Sequence, residues 1–197
     1  MKYDFVEIGT SNFDTLIENA SDQTVGISIE PISHYLNQLP DKPNVKKLNY
    51  AISDGEELEI ARVYYVPENI IERLNLPHWL KGCNTINDFH FQHSNLNVKK
   101  YVDSFPVINM PIKMLFKMYE ITELDYLKID TEGYDVYLLQ SLFEYLQTVG
   151  KLSYPKSILF ESNGLTDSQK VLDIIEKYKT LGYKLIFSEH ETLIRLV

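Results

Sequence analysis

The sequence predicts an α/β fold built on a mostly parallel sheet with an antiparallel ending. Three observations predict it. Short apolar runs alternate with helical patterns over residues 3–53, the alternation returns over 124–182, and only two or three residues separate the last two apolar runs. Alternating strands and helices are the mark of a parallel sheet covered on both faces. Two strands joined so closely must instead be antiparallel, because a parallel crossover needs about a dozen residues.

Taken in order, Tyr3 to Ile8 reads as a short buried strand and FDTLIENA (13–20) has the apolar spacing of a helix. TVGISIE (24–30) repeats the strand, and ISHYLNQL (32–39) the helix, with Pro31 suited to a first helical position. VKKLNYAIS (45–53) reads as one third strand, and EELEIARVYYV (57–66) as a further β-rich run after the turn at Asp54-Gly55. From Pro67 to about Glu123 the repeat disappears. PENIIERLNL (67–76) and PIKMLFKMYEI (111–121) look helical, and the stretch between them, including GCNTINDFHFQHSN, reads as long loops, which in a compact domain are usually functional.

LDYLKID (124–130) then restores a buried strand, followed by a helix from about Tyr134 to Val149 and a strand KSILFES (156–162). Thr166 and Gln169 fit a capping box ahead of a helix over 167–181, and Gly182 is placed to end it. YKLIFSE (183–189) and TLIRLV (192–197) close the chain as a hairpin.

A chain of 197 residues and 23.0 kDa with 44% hydrophobic residues suits one domain, 1–197, with an inserted lid or substrate region at about 67–122. The single cysteine, Cys83, excludes an internal disulfide, and the start MKYDFVEIG lacks an export signal, so a cytoplasmic protein is expected. No run of about 18 apolar residues is present, which excludes a membrane-spanning segment. A formal charge of −9 argues against nucleic acid as a partner, since phosphate backbones are held by cationic faces.

The residues able to carry chemistry stand at strand ends, where ligands bind in open α/β sheets. Glu7 and Gly9 end the first strand. A dinucleotide site would carry G-x-G-x-x-G there, and that pattern is absent; a carboxylate beside the turn would repel pyrophosphate and suit a cationic nucleoside such as S-adenosylmethionine (SAM). Glu30, 23 positions on, stands where such domains place an acid for ribose hydroxyls, or is simply a strand-end acid facing solvent. Ala51-Ile52-Ser53-Asp54 ends the third strand, where Asp54 could accept from an adenine amino group or serve an ordinary Asp-Gly turn. In LDYLKIDTEGYDVYLLQSL (124–142), Asp130 and Glu132 suit a cation, a metal or a substrate hydroxyl, although Asp130 or Thr131 could equally cap the helix.

The order VEIGT, SIEP, NYAISD, LDYLKIDTEGYD and ILFESN resembles the FkbM family of SAM-dependent methyltransferases, most specifically in YLKIDTEGYD; WLKGCNTIN (79–87) is similar to a middle stretch of some members. The resemblance implies a Rossmann-like class I methyltransferase fold, a seven-stranded, mostly parallel sheet with an antiparallel C-terminal strand. It puts Glu7 and Gly9, with the turn Thr10, Ser11 and Asn12, beside the methionine part of SAM, and Glu30 with Pro31 at the ribose. Ala51, Ile52, Ser53 and Asp54 would flank the adenine, and Asp130 would stand at the methyl-transfer mouth. Phe13 departs from the pattern, replacing a glycine of the family's first motif.

The expected reaction is O-methylation of a hydroxyl on a carbohydrate or other small-molecule or glycan acceptor. Asp130, Glu132 and Glu161 are the candidate bases or orienting groups, with His78, His90 or His93 of the insert as substitutes. Metal ligands could be drawn from these carboxylates and a histidine, but no compact ligand motif supports a metal. With the first strand starting by about residue 3, the lid is expected from 67–122 or from a second subunit of a homo-oligomer. Tyr64, Tyr65, Trp79, Phe89, Phe91 and Tyr101 of that region could stack on a sugar or pack in a core. The alternative from another class is a non-catalytic, methyltransferase-like binding module, motivated by Phe13 and the many acids.

Overall fold

The structure is a computed structural model that describes residues 1–86 and 90–197, with only the backbone of Phe91 described. Phe89 and the side chain of Phe91, named above as stacking candidates, therefore lie outside the described residues.

The chain opens with β1 (Lys2–Ile8), β2 (Gly26–Ile29), α1 (Ser33–Gln38), β3 (Val45–Leu48), β4 (Ala51–Ser53) and β5 (Glu59–Tyr65). The middle carries α2 (Glu68–Arg73), a 3-10 turn at His78–Lys81, α3 (Phe91–Asn95), β6 (Asp103–Pro111) and α4 (Ile112–Met118). β7 (Glu123–Ile129), α5 (Asp135–Leu146), β8 (Ser157–Glu161), α6 (Ser168–Thr180), β9 (Tyr183–Ser188) and β10 (Glu191–Leu196) follow. Seven strands form one sheet in the order β3-β2-β1-β7-β8-β10-β9, parallel throughout except for β10, which runs antiparallel to both neighbours. This is a Rossmann-like α/β arrangement. Strand order reverses between β1 and β7, so their carboxyl ends open a crevice there.

Four local expectations are corrected. Residues 13–20 form only a 3-10 turn at Ile17–Asn19. Their backbone is claimed from outside the segment: Leu16 N–H donates to Glu7 at 2.9 Å, Lys128 Nζ donates to the Asp14 carbonyl at 3.2 Å, and Asp14 is left-handed at φ 55°. The run 45–53 is two strands in two sheets. Asn49 turns the chain between them by donating its amide to the carbonyls of Glu30 at 2.9 Å and Pro31 at 2.8 Å. β4 then joins β6 and β5 in a separate three-stranded sheet, so the loop reading of the middle missed the nine-residue β6. Finally, Asp167 caps α6 by accepting from Gln169 N at 2.7 Å, in place of Thr166.

Coverage of the main sheet is also unequal. The first face packs Val6, Ile8, Leu127, Ile129, Ile158 and Phe160 against Leu115, Leu138, Leu142, Ile174 and Tyr178 from α4, α5 and α6. On the second face α1 and the 3-10 turn cover only the first strands, through Phe5, Ile17, Leu36 and Leu39. Towards β9 the paired residues Leu159, Leu193 and Phe187 stay partly or largely exposed, so the expectation of cover on both faces holds for one half.

Candidate active site

A cleft of about 1140 Å³ lies at the carboxyl ends of β1, β2, β7 and β8, roofed from the middle region by Trp79, residues 82–86, His90 and Gln92. Its floor is fixed by a close approach of two turns. Gly9, at φ 81°, presses on Asp130, and a Cβ placed there would fall 1.8 Å from the Asp130 carbonyl oxygen. Only glycine fits both the left-handed turn and the contact. The glycine thus admits backbone of this chain, although Gly9 also lines the cleft.

Glu7 lies beneath the turn. Fully buried, it accepts from Leu16 N–H at 2.9 Å and pairs with Lys128 Nζ at 3.1 Å, and it does not line the cleft. Direct contact with a bound molecule is corrected to a supporting position, because both carboxylate oxygens already serve the turn. Burial raises its pKa, against the lowering pull of Lys128.

Glu30, 2% exposed, does line the cleft. Its carboxylate accepts from Ser11 N at 2.7 Å and Ile32 N at 2.8 Å, which ties the first turn to the end of β2. Burial pushes its pKa up to about 7 even so. Thr10, Ser11, Pro31, Ala51 and Ile52 line the cleft beside it. Asn12, Ser53 and Asp54 do not: Asn12 turns to Gln38, Ser53 is buried against Gly55, and Asp54 receives the Tyr134 hydroxyl at 2.5 Å. Tyr134, absent from the sequence expectations, is the residue at the wall.

Opposite stands a group of acids. After Asp130 two successive left-handed residues, Glu132 at φ 54° and Gly133 at φ 89°, curl the chain so that Asp130 and Glu132 lie together; one oxygen from each, with one from Glu161, falls within 4.8 Å of the others. Asp135 holds the group in place. Fully buried at the start of α5, it accepts Thr131 N–H at 2.9 Å through one oxygen and Glu161 N–H at 2.8 Å through the other. Its signal was present in the sequence as the last residue of DTEGYD. Burial, then the charges of Asp135 and Glu132, raise Asp130 to about 7. Burial, then Glu132 and Asp130, raise Glu161 to about 9. Glu161 also accepts from the Asn163 amide.

The middle region completes the walls. Phe13 meets His78 edge-on at 5.1 Å between ring centres, and Ser11 Oγ donates to the Lys81 carbonyl at 3.3 Å, so the first turn seats the 3-10 turn above it. Lys81 in turn pairs with Glu68 of α2, whose pKa this contact lowers to about 2. His90, 5% exposed, brings Nε2 to 3.2 Å from Glu132 Oε2, and Cys83 Sγ, a His90 nitrogen and a Glu132 oxygen also gather within 4.8 Å. Of the aromatic candidates, Trp79 lines the cleft; Tyr65 packs against Phe105, and Tyr101 lies under Lys100 and Arg73.

The model of the methyltransferase FkbM domain matches residues 7–185. The chain belongs to the FkbM methyltransferase family. A comparison with curated proteins finds no match. In this FkbM domain the matched span runs from Glu7 under the first turn to Leu185 in β9, and so includes every cleft wall except His190 and Glu191. No helix among the described residues is long and apolar enough to cross a membrane.

Proposed function

We propose that this FkbM domain is a class I SAM-dependent methyltransferase that methylates a hydroxyl, on a carbohydrate or other small-molecule or glycan acceptor. The observation that carries the reading is the cleft's division into two ends. One end offers the buried Glu30 carboxylate beside the apolar Pro31, Ala51 and Ile52; the other offers three carboxylates. The residues fit SAM by chemistry. Glu30 would take ribose hydroxyls, the apolar wall with Tyr134 would flank the adenine, and the acids favour a sulfonium and an ammonium.

SAM supplies the methyl group when bound; the chain supplies position and proton traffic. Asp130 and Glu132 stand where a substrate hydroxyl can lose its proton. Glu161, raised to about 9, keeps a proton at neutral pH and can donate a hydrogen bond to a neighbouring acceptor oxygen. Trp79, residues 82–86 and His90 cover the cleft from above and limit its water, which strengthens each of these interactions. Asp54 acts through Tyr134, and Glu7 through Leu16 and Lys128.

Calorimetric titration with S-adenosylhomocysteine tests the reading. Micromolar binding that Glu30→Ala weakens at least tenfold is the expected result, an order-of-magnitude figure for a lost charge-assisted contact. Absence of binding at millimolar ligand would remove the cofactor and with it the activity.

A further inference from the structure

Glu132 faces the roof. Gly82 lies beside Oε1, where an added Cβ would come within 3.4 Å, and His90 Nε2 stands 3.2 Å from Oε2. The other His90 nitrogen is committed: Nδ1 accepts the Gln92 backbone N–H at 3.3 Å. A ring nitrogen that accepts from an amide carries no proton, so a neutral His90 bears its proton on Nε2, facing the carboxylate. His93 keeps the segment in this register. Wholly buried, it accepts the His90 backbone N–H on Nδ1 at 3.3 Å and places Nε2 at 2.9 Å from the Cys83 carbonyl. Burial lowers the His93 pKa, which favours the neutral ring that this pairing requires.

We propose that His90 is the positioning residue of the transfer, its Nε2–H holding one oxygen of Glu132 so that the other accepts the proton of the substrate hydroxyl. The proposal rests on the methyl-transfer reading above. As the acceptor oxygen forms its bond to the methyl carbon, the S–CH3 bond breaks with its electron pair left on sulfur, and the hydroxyl proton passes to Glu132 Oε1. Apo hydrogen bonds at reacting groups are often imperfectly aligned and tighten only in the loaded complex. His90 therefore does more than cover the cleft: it faces the base it is to align.

The test begins with nitrogen-15 NMR of histidine side chains in the full chain, with and without S-adenosylhomocysteine. His90 is expected as the Nε2–H tautomer, with a signal that Glu132→Gln moves and His90→Gln removes. An Nδ1–H ring, or a signal indifferent to Glu132→Gln, overturns the assignment. Turnover with labelled SAM and a set of methyl glycosides adds a second readout. His90→Ala is expected to lower kcat about 100-fold with S-adenosylhomocysteine affinity unchanged, and His90→Gln, whose amide restores a donor, to recover within about tenfold of the wild type. A Gln variant as inactive as the Ala variant would mean that the His90 lone pair itself takes a proton or binds a metal, which overturns the proposal. Full activity in His90→Ala overturns it alone; a wild type that binds no S-adenosylhomocysteine overturns the methyl-transfer reading and this proposal together.

Discussion

Asp130 and Glu161 hold protons far above the usual carboxylate range because burial removes their water and like charges surround them. Their ordinary values, 3.8 and 4.5, become about 7 and about 9 in the folded chain. Between those limits the folded state binds more protons than the unfolded one. Stability of the free protein therefore falls as pH rises from about 4, and the loss is complete only above about 9. Neutral isosteres escape this cost. Asp130→Asn and Glu161→Gln are each expected to melt above the wild type at pH 8, by about 4 to 8 °C, the shift that about 2 kcal/mol gives a chain of this size. The gain should shrink as the pH approaches 4. Melting curves between pH 4 and 8 check it, and a gain that did not vary with pH would refute the assignment of the penalty to ionisation.

Elements were legible where local pattern and tertiary demand agree. β1, β2, β7 and β8 follow from apolar runs that are buried as the runs suggest, and the closing hairpin follows from its short link, although Leu185, Ile186 and Phe187 of β9 stay exposed. The helix expected at 13–20 does not form, because the carboxylate of Glu7 and the ammonium of Lys128 reach that backbone from positions distant in sequence. β6 was hidden for a related reason: DSFPVINMP contains two prolines, and its pairing partners, Glu59–Tyr65 and Ala51–Ser53, lie some 40 to 60 residues away. At the site, spacing named Glu30, Asp130, Glu132 and Glu161, all of which line the cleft. It could not show that Asp54 faces Tyr134, or that Asp135 bridges β7 to β8. Gly9 tests the junction of two elements. Gly9→Ala places a methyl into the Asp130 backbone carbonyl at a φ of 81° and is expected to cost about 3 kcal/mol or more. Gly26→Ala meets the Phe5 ring as its nearest neighbour, so adding Phe5→Leu should relieve it. Denaturant unfolding of these variants, with Gly9→Ala paired to Thr131→Ser as its nearest side-chain relief, separates the cases: recovery of Gly9→Ala by that change would show that the clash is not with backbone.

Across the whole molecule the charge of −9 and the acids of the cleft act in one direction. Lys128, a cation at the cleft wall, is already paired with Glu7, and Lys81 with Glu68. A bound cation therefore meets carboxylates whose charge is little neutralised by their surroundings, and binding it must favour their ionised forms. By linkage its affinity rises as those groups ionise. On the methyl-transfer reading, SAM and S-adenosylhomocysteine share every group except the methyl and its positive charge, so the ratio of their affinities isolates the cleft's field. That ratio should shift towards SAM by about tenfold between pH 6 and 9, the range in which Asp130 and Glu161 lose their protons, each tenfold corresponding to about 1.4 kcal/mol. Salt should reduce the shift only modestly, because pairs removed from water are screened less than surface charges. Calorimetry of both ligands at pH 6, 7.5 and 9 measures it. In Asp130→Asn the part of the shift near pH 7 should vanish and the part near pH 9 remain; a ratio flat with pH in the wild type would place the sulfonium away from these carboxylates.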